Sequence, residues 1–172
     1  RDLLNFSVKI DPFMLYAFST ASKIYVKTPE SKNVVPIRYH DKTSIQLEVG
    51  INQLSSKPPS QSAHNGLRFL YVGRFVYWKG MHLGLMAFRK LLEAFPDARL
   101  TMVGKGPEEI IWKELAKRHQ IDQSIDWISW VEQSELADIY SQHDALLFPS
   151  LHDSSGNVVL ESMVFGLPVI CL

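Results

Sequence analysis

The sequence contains a single cysteine, Cys171, and has no excess of charge of either sign. One cysteine excludes an internal disulfide framework and any metal site built from cysteines alone. The 18 Lys and Arg residues balance the 18 Asp and Glu residues, so the basic surface of a nucleic-acid-binding protein is missing. The chain also lacks an apolar run of about 18 residues, so we expect no transmembrane segment.

The composition is that of a folded domain. Apolar residues make up 46% of the 172 residues and charged residues 21%, which argues against disorder. No secretory signal pattern opens the sequence, and we expect a cytoplasmic location. The chain begins at Arg1 and ends in the apolar run 168–172, whereas domain ends are usually exposed and polar. We therefore expect a fragment of a longer protein.

The first part of the chain is irregular. Asp11 and Pro12 predict the start of a short helix over 13–18. Short extended segments are predicted at 23–27, 34–37 and 44–49. The Ser- and Pro-rich stretch 53–65 is typical of a linker.

From Leu67 onward, apolar strands alternate with amphipathic helices. The predicted strands are 68–72, 98–103, 124–129, 145–150 and 168–172, and the predicted helices are 79–95, 107–119, 134–143 and 157–164. Pro107 is expected at the first position of its helix, and Ser134 is expected to cap the next one. The pattern predicts an α/β fold, a Rossmann-like parallel sheet with helices on both faces. Ligands of such sheets bind at the carboxyl ends of the strands.

Two cations, Arg74 and Lys79, follow the first of these strands. Arginine offers a planar fork and lysine a mobile charge for phosphate oxygens, and a helix N-terminus nearby would also attract an anion. Alternatively, both are solvated loop charges. After the second strand, Gly104 and Gly106 form a tight turn, but Glu109 occupies the third glycine position of a dinucleotide fingerprint, so nicotinamide or flavin binding is a weak interpretation.

The loop after the fourth strand contains the largest group of candidate residues. Ser154, Ser155 and Gly156 are small and leave backbone N–H groups open before a helix, which favours anion binding. Asp153 and Glu161 are carboxylates suited to sugar hydroxyls. Alternatively, Asp153 is a turn residue and Glu161 an exposed helix acid.

The remaining candidates favour structural roles. Trp127 and Trp130 flank Ser129 and could border a base pocket, but core packing is the preferred interpretation for both. Histidines at metal-binding spacing and the Gly-x-Ser-x-Gly elbow are both absent from the sequence, so we predict neither a metal site nor a serine hydrolase.

Three segments together resemble one known family: GRFVYWKG at 73–80, LTMVGKGPEE at 100–109 and LLFPSLHDSSGNVVLESMVFGLPVI at 146–170. They resemble the retaining glycosyltransferases of family 4 (group 1), which have the GT-B fold. The resemblance implies that residues 1–52 are the end of an acceptor-side N-terminal domain with its hinge. Residues 53–172 would be a nucleotide-sugar donor-binding domain, truncated at its C-terminus.

The resemblance also implies residue roles. Arg74 and Lys79 would clamp the donor diphosphate, and Glu161 would hold the ribose hydroxyls. Asp153, which replaces the longer glutamate of the family, would contact the transferred sugar. The other donor-binding positions would be Gly73, Gly104, Gly106, Ser129, Ser154, Ser155, Gly156, Asn157 and Val158. Ser129 and the Ser154-Ser155 pair depart from the family pattern, and we interpret them as marks of a subfamily.

The implied function is transfer of a hexose from a nucleotide-diphosphate sugar to an acceptor with retention of anomeric configuration. Cationic side chains would stabilise the leaving diphosphate, so no cofactor or metal is expected. The acceptor could be a sugar, a lipid-linked sugar or a small molecule, and membrane association could occur through the missing N-terminal domain. We expect the isolated fragment to be inactive. A nucleotide-sugar 2-epimerase of the same architecture and a non-catalytic module that binds a phosphorylated ligand or a protein stay open as alternatives.

Overall fold

The computed structural model describes residues 11–46, 66–153 and 156–171. The chain divides into two compact units, Arg1–Gly50 and Ile51–Leu172. The predicted linker at 53–65 lies outside the described residues. Among the residues that are described, no helix is both long enough and apolar enough to cross a membrane.

The described part of the first unit is a small α/β arrangement. Helix α1 spans Pro12–Thr20, and Asp11 caps it by accepting a hydrogen bond from the backbone N–H of Phe13 at 2.8 Å. The unit continues with strand β1 at Ile24–Val26, helix α2 at Pro29–Val34, a 3-10 turn at Ile37–Lys42 and strand β2 at Thr43–Ile45. Strands β1 and β2 pair in parallel.

The predicted extended segment at 34–37 is wrong. Val34 is the last residue of α2, and Ile37 begins the 3-10 turn. The helix forms because Thr28 caps it through its side chain and Pro29 occupies its first turn. The β-branched pair Val34-Val35 therefore marks a helix end rather than a strand.

The second unit is built on a five-stranded parallel sheet. Its strands are β3 at Arg68–Val72, β4 at Arg99–Val103, β5 at Ile125–Ile128, β6 at Ala145–Phe148 and β7 at Val169–Cys171. Their order across the sheet is β5-β4-β3-β6-β7, so the chain adds strands in one direction from β3 and then crosses to the other side. The order therefore reverses between β3 and β6, and ligands of open α/β sheets bind at this kind of switch point.

Helices cover both faces of this sheet. They are α3 at Met81–Ala94, α4 at Glu109–Arg118, α5 at Gln133–Ser141 and α6 at Asn157–Val164. Residues of α3 and α4, among them Leu85 and Trp112, form one buried cluster with the strands. Residues of α5 and α6 pack with Leu70 and Leu146 in a second cluster. The central strands β3, β4 and β6 are thus largely buried, which explains their continuously apolar sequences, whereas the edge strand β7 is partly exposed.

Two predicted helix starts need correction. Helix α4 begins at Glu109, so Pro107 precedes the helix instead of occupying its first position. Helix α5 begins at Gln133 with Glu132 as its cap residue, and the Glu135 side chain accepts a hydrogen bond from the Glu132 backbone N–H at 3.2 Å. Ser134 therefore lies inside the first turn, because Glu132, two residues before it, and Glu135, one residue after it, satisfy the helix end.

Candidate functional site

The loop that follows β3 is held to the loop that follows β4. The backbone N–H of Phe75 donates to the carbonyl of Lys105, and the N–H of Glu108 donates back to the Phe75 carbonyl, both at 3.0 Å. The buried hydroxyl of Tyr71 donates to the carbonyl of Arg74 at 3.0 Å. These bonds fix the backbone that carries Arg74, whose side chain is exposed at the sheet edge.

Gly104 and Gly106 make this contact between the loops possible. A Cβ on Gly104 would lie 1.9 Å from the Gly73 carbonyl oxygen, and one on Gly106 would lie 2.3 Å from the Phe75 carbonyl oxygen. Both distances are far inside van der Waals contact, so only glycine fits at either position. The tight turn that the sequence predicts at these glycines therefore brings two loops into backbone contact.

A second connection joins the loop after β3 to the loop after β6. Gly80 has a φ of +67°, and a Cβ there would meet the Pro149 carbonyl oxygen at 1.9 Å. The backbone N–H of Leu151 donates to the Trp78 carbonyl at 2.9 Å. Helix α3 therefore starts two residues after Lys79, and a 3-10 turn at Tyr77–Lys79 presents the lysine toward the neighbouring loop.

Lys79 and Asp153 form an ion pair across the switch point between β3 and β6. Their side chains are only 19% and 21% exposed, so the pair is partly shielded from water. The second carboxylate oxygen of Asp153 accepts from the backbone N–H of Gly156, the cap residue of α6, at 3.0 Å. A carboxylate thus occupies a position between a lysine ammonium and a helix N-terminus, and both of these groups attract anions.

Two open cavities meet at Arg74. The first, of about 230 Å³, is lined by Arg74, Lys79 and Asp153 together with Val76, Trp78 and His152. The second, of about 320 Å³, has a largely apolar lining that extends over Gly73, Gly104, Lys105, Ser129 and Trp130. The structure therefore places candidate residues from the loops after β3, β4, β5 and β6 at one edge of the sheet.

The two tryptophans that flank Ser129 have different environments. Trp127 packs against the buried Phe75, with ring centroids 5.8 Å apart, as the packing interpretation requires. Trp130 is 62% exposed and lines the second cavity. The core-packing interpretation is therefore wrong for Trp130, because β5 ends at Ile128 and the chain has already left the sheet.

Glu161 lies in the second turn of α6 and is bound by a buried tyrosine. The hydroxyl of Tyr140 donates to the Glu161 Oε2 atom at 2.9 Å. Burial, and then the adjacent carboxylate, raises the pKa of Tyr140 well above its ordinary range. The pKa of Tyr71 is also raised, first by burial and then by the charge of Asp153.

The remaining candidate residues lie around the start of α6. Gly156 caps the helix, Asn157 is its exposed first residue, and Val158 packs against the second buried cluster. Ser154 and Ser155 lie outside the described residues. Tyr140 did not emerge from the sequence as a functional candidate. It lies near the end of α5, and no sequence pattern there indicates a functional role, because only the fold brings Tyr140 next to Glu161.

Comparisons with known proteins identify relatives of this chain. A family model described as Glycosyl transferases group 1 matches residues 52–172. The chain is 30% identical over 101 residues to glycogen synthase of Mycobacterium tuberculosis, which covers 59% of the chain and 24% of that protein. It is 29% identical over 154 residues to an uncharacterized glycosyltransferase of Haemophilus influenzae, which covers 90% of the chain and 42% of that protein. The chain thus spans less than half the length of these relatives.

Solved structures agree on the fold. The pneumococcal O-GlcNAc transferase GtfA, in complex with UDP and GlcNAc, superposes with a TM-score of 0.73 at 20% identity, covering 91% of this chain and 32% of that one. Anabaena HepE, in complex with UDP and glucose, has a TM-score of 0.73 at 18% identity, covering 97% of this chain and 48% of that one. These likenesses confirm the predicted GT-B type α/β fold.

Proposed function

The chain belongs to the group 1 glycosyl transferases, and from that premise we propose that it binds a nucleotide-diphosphate sugar as the donor for sugar transfer. In finer detail, we propose a hexosyl transfer with retention of anomeric configuration, as in family 4. Residues 53–172 would bind the donor, and residues 1–52 would belong to the acceptor side.

One observation carries the donor proposal: the ion pair between Lys79 and Asp153 at the switch point. In this pair, the two oxygens of the Asp153 carboxylate contact the Lys79 ammonium and the Gly156 N–H. A diphosphate has the same kind of oxygens and a larger charge, and Arg74 lines the same cavity. We therefore propose that the diphosphate displaces Asp153 from Lys79 and is held by Lys79, Arg74 and the start of α6.

These groups also suit the chemistry of the transfer. When the bond between the sugar and the nucleoside diphosphate breaks, negative charge grows on the departing phosphate oxygen. Fixed cations and a helix N-terminus stabilise such charge without moving, and this kind of stabilisation is often the largest catalytic contribution. We propose that Lys79 and Arg74 supply it, so that no metal is required. Asp153, once released from Lys79, would contact the transferred sugar.

The second cavity suits the nucleoside. Its apolar lining and the exposed Trp130 offer a surface on which a base can stack, and it adjoins the first cavity at Arg74. Glu161 would hold the ribose hydroxyls. The UDP in the complexes of GtfA and HepE supports a nucleoside diphosphate as the ligand class.

Calorimetric titration of the 172-residue chain tests this proposal. UDP, GDP and ADP are titrated separately, and each is compared with its own nucleoside and with pyrophosphate as the two halves of the ligand. We expect at least one nucleoside diphosphate to bind more tightly than either half, because Arg74 lines both cavities. A folded chain that binds none of the three diphosphates contradicts the proposal.

A second measurement tests the epimerase alternative. A nucleotide sugar that binds is incubated with the chain in the absence of acceptor, and its sugar protons are followed by NMR. We expect the sugar to keep its configuration at C2. Appearance of the 2-epimer would favour the epimerase alternative.

A further inference from the structure

The buried pair of Tyr140 and Glu161 contains a polar contact that packing alone does not require. Tyr140 is 1% exposed, yet its hydroxyl reaches the half-buried carboxylate of Glu161 at 2.9 Å. Helix α5 carries the tyrosine and helix α6 the glutamate, so the bond joins the two helices that cover one face of the sheet. A phenylalanine would fill the same space without this bond.

The tyrosine ring is held rigidly. It stacks on Phe165 with ring centroids 5.4 Å apart and an interplanar angle of 10°, and it belongs to the buried cluster around Leu70 and Leu146. A tyrosine has two rotatable side-chain bonds, and both are fixed by this packing. The position of the hydroxyl is therefore set by the core and not by the carboxylate that it contacts.

The direction of the hydrogen bond is also fixed. A phenol keeps its proton at neutral pH because its ordinary pKa is about 10, and burial and the charge of Glu161 raise the pKa of Tyr140 further, so the hydroxyl is the donor. Glu161 Oε2 is the acceptor. Within the described residues, Tyr140 is the one donor to the Glu161 side chain, so the other oxygen, Oε1, has no protein donor.

We propose that Tyr140 is a positioning residue, which fixes the carboxylate of Glu161 so that Oε1 meets the ribose hydroxyls of the donor. The inference rests on the donor-binding function proposed above. Without the Tyr140 hydroxyl, the Glu161 side chain would sample more rotamers in the free protein. Fixing one of these rotamers on binding would cost conformational entropy, which would weaken the binding of the ribose. Binding of the base and the diphosphate would be unaffected.

The test compares two ligands that differ only at the ribose. The affinities of the 172-residue chain for the nucleoside diphosphate that binds it and for its 2′,3′-dideoxy form are measured by calorimetry. In the unmodified chain we expect the ribose form to bind about 10- to 100-fold more tightly, because the hydroxyls bond a charged group. In Tyr140→Phe we expect this ratio to fall about three- to tenfold, with the affinity for the dideoxy form unchanged.

A matched control is the other buried tyrosine. Tyr71→Phe also removes one buried hydroxyl and keeps the ring, but its hydroxyl binds the Arg74 carbonyl. It should leave the ratio of the two affinities unchanged, even if both affinities decrease. Tyr140→4-aminophenylalanine keeps a weaker donor at the same place and should give a ratio between those of the unmodified chain and Tyr140→Phe. That variant also provides the test should Tyr140→Phe not fold.

The outcomes separate the two proposals. A folded, unmodified chain that binds no nucleoside diphosphate overturns the donor function and this inference with it. A chain that binds both ligands equally removes Glu161 from the ribose and overturns the inference alone. An unchanged ratio in Tyr140→Phe, or in the 4-aminophenylalanine variant if that is the one that folds, shows that Tyr140 does not position the carboxylate.

Discussion

Replacement of Lys79 by alanine is the most direct perturbation of the candidate site. The substitution removes the ammonium that pairs with Asp153 and leaves the other connections of the loop in place. Those connections are the backbone contact of Gly80 with Pro149 and the hydrogen bond from Leu151 to Trp78. The loop should therefore keep its conformation, and the change in affinity should report the lost charge.

The expected loss of binding free energy depends on which group Lys79 contacts before and after the ligand binds. A hydrogen bond that involves a charged group contributes about 1.5–3 kcal/mol. Before the ligand binds, Lys79 already has such a partner in Asp153, so only the surplus of diphosphate over carboxylate is lost. We therefore expect a cost near the lower bound, about 1.5 kcal/mol, which weakens binding of the nucleoside diphosphate about tenfold.

The reciprocal substitution should act in the opposite direction. Asp153→Asn removes the negative charge that competes with the diphosphate for Lys79, while its side-chain oxygen can still accept from the Gly156 N–H. We expect a nucleoside diphosphate to bind about three- to tenfold more tightly, because a carboxylate a few ångströms from the phosphate no longer repels it.

Calorimetric titration at two salt concentrations measures both effects, with Lys113→Ala as the matched control. Lys113 also pairs with a carboxylate, that of Glu109 at 2.6 Å, and lies 5.5 Å from the Trp127 ring, much as Lys79 lies 5.6 Å from a phenylalanine ring. Lys113 is carried by α4, away from the switch point. An unchanged dissociation constant in Lys79→Ala, or an equal loss in Lys113→Ala, would refute the assignment of Lys79 to the phosphate site.

Two further predictions concern stability. Gly80→Ala should lower the free energy of unfolding by about 2 kcal/mol or more, because the new Cβ would clash with the Pro149 carbonyl. Gly156→Ala should lower it by about 1 kcal/mol, because Gly156 has a similar φ of +57° but its Cβ would have its nearest contact at 3.9 Å. Urea denaturation of the two variants measures the difference. Burial raises the pKa of Tyr71 and Tyr140 in the folded state only, so the unfolded chain loses these two protons at lower pH than the folded chain does. The free energy of unfolding should therefore fall above about pH 10, by up to about 1.4 kcal/mol per pH unit for each tyrosine. Replacing both tyrosines with phenylalanine should flatten this decline.

The regular elements of the second unit were predictable because their signals are local. Strand β3 was predicted at its observed bounds of 68–72, and helix α6 at 157–164. Errors occurred where two local signals competed. Ser134 is a good cap residue, but the helix is capped two residues earlier, at Glu132, with Glu135 completing the capping box. Trp130 is large and aromatic, but its strand ends before it.

The candidate site was predictable residue by residue but not as a set of contacts. The sequence indicated Arg74, Lys79, Asp153 and Glu161 because each follows an apolar strand or lies near a helix start. That Lys79 meets Asp153 depends on β6 lying beside β3, and the alternation of strands and helices does not determine this order. The partner of Glu161, 21 residues away, was not predicted for the same reason.

The class of fold, and the edge of the sheet at which a ligand would bind, could both be predicted from the amino-acid sequence alone. Apolar periodicity specifies strands and helices, and chain direction in a parallel sheet then places every loop that follows a strand at one edge. Which of those loops touch could be seen only in the folded structure. The ion pair at the switch point and the tyrosine behind Glu161 arise from the order of strands and the packing of helices, which depend on the whole core rather than on any local stretch of residues.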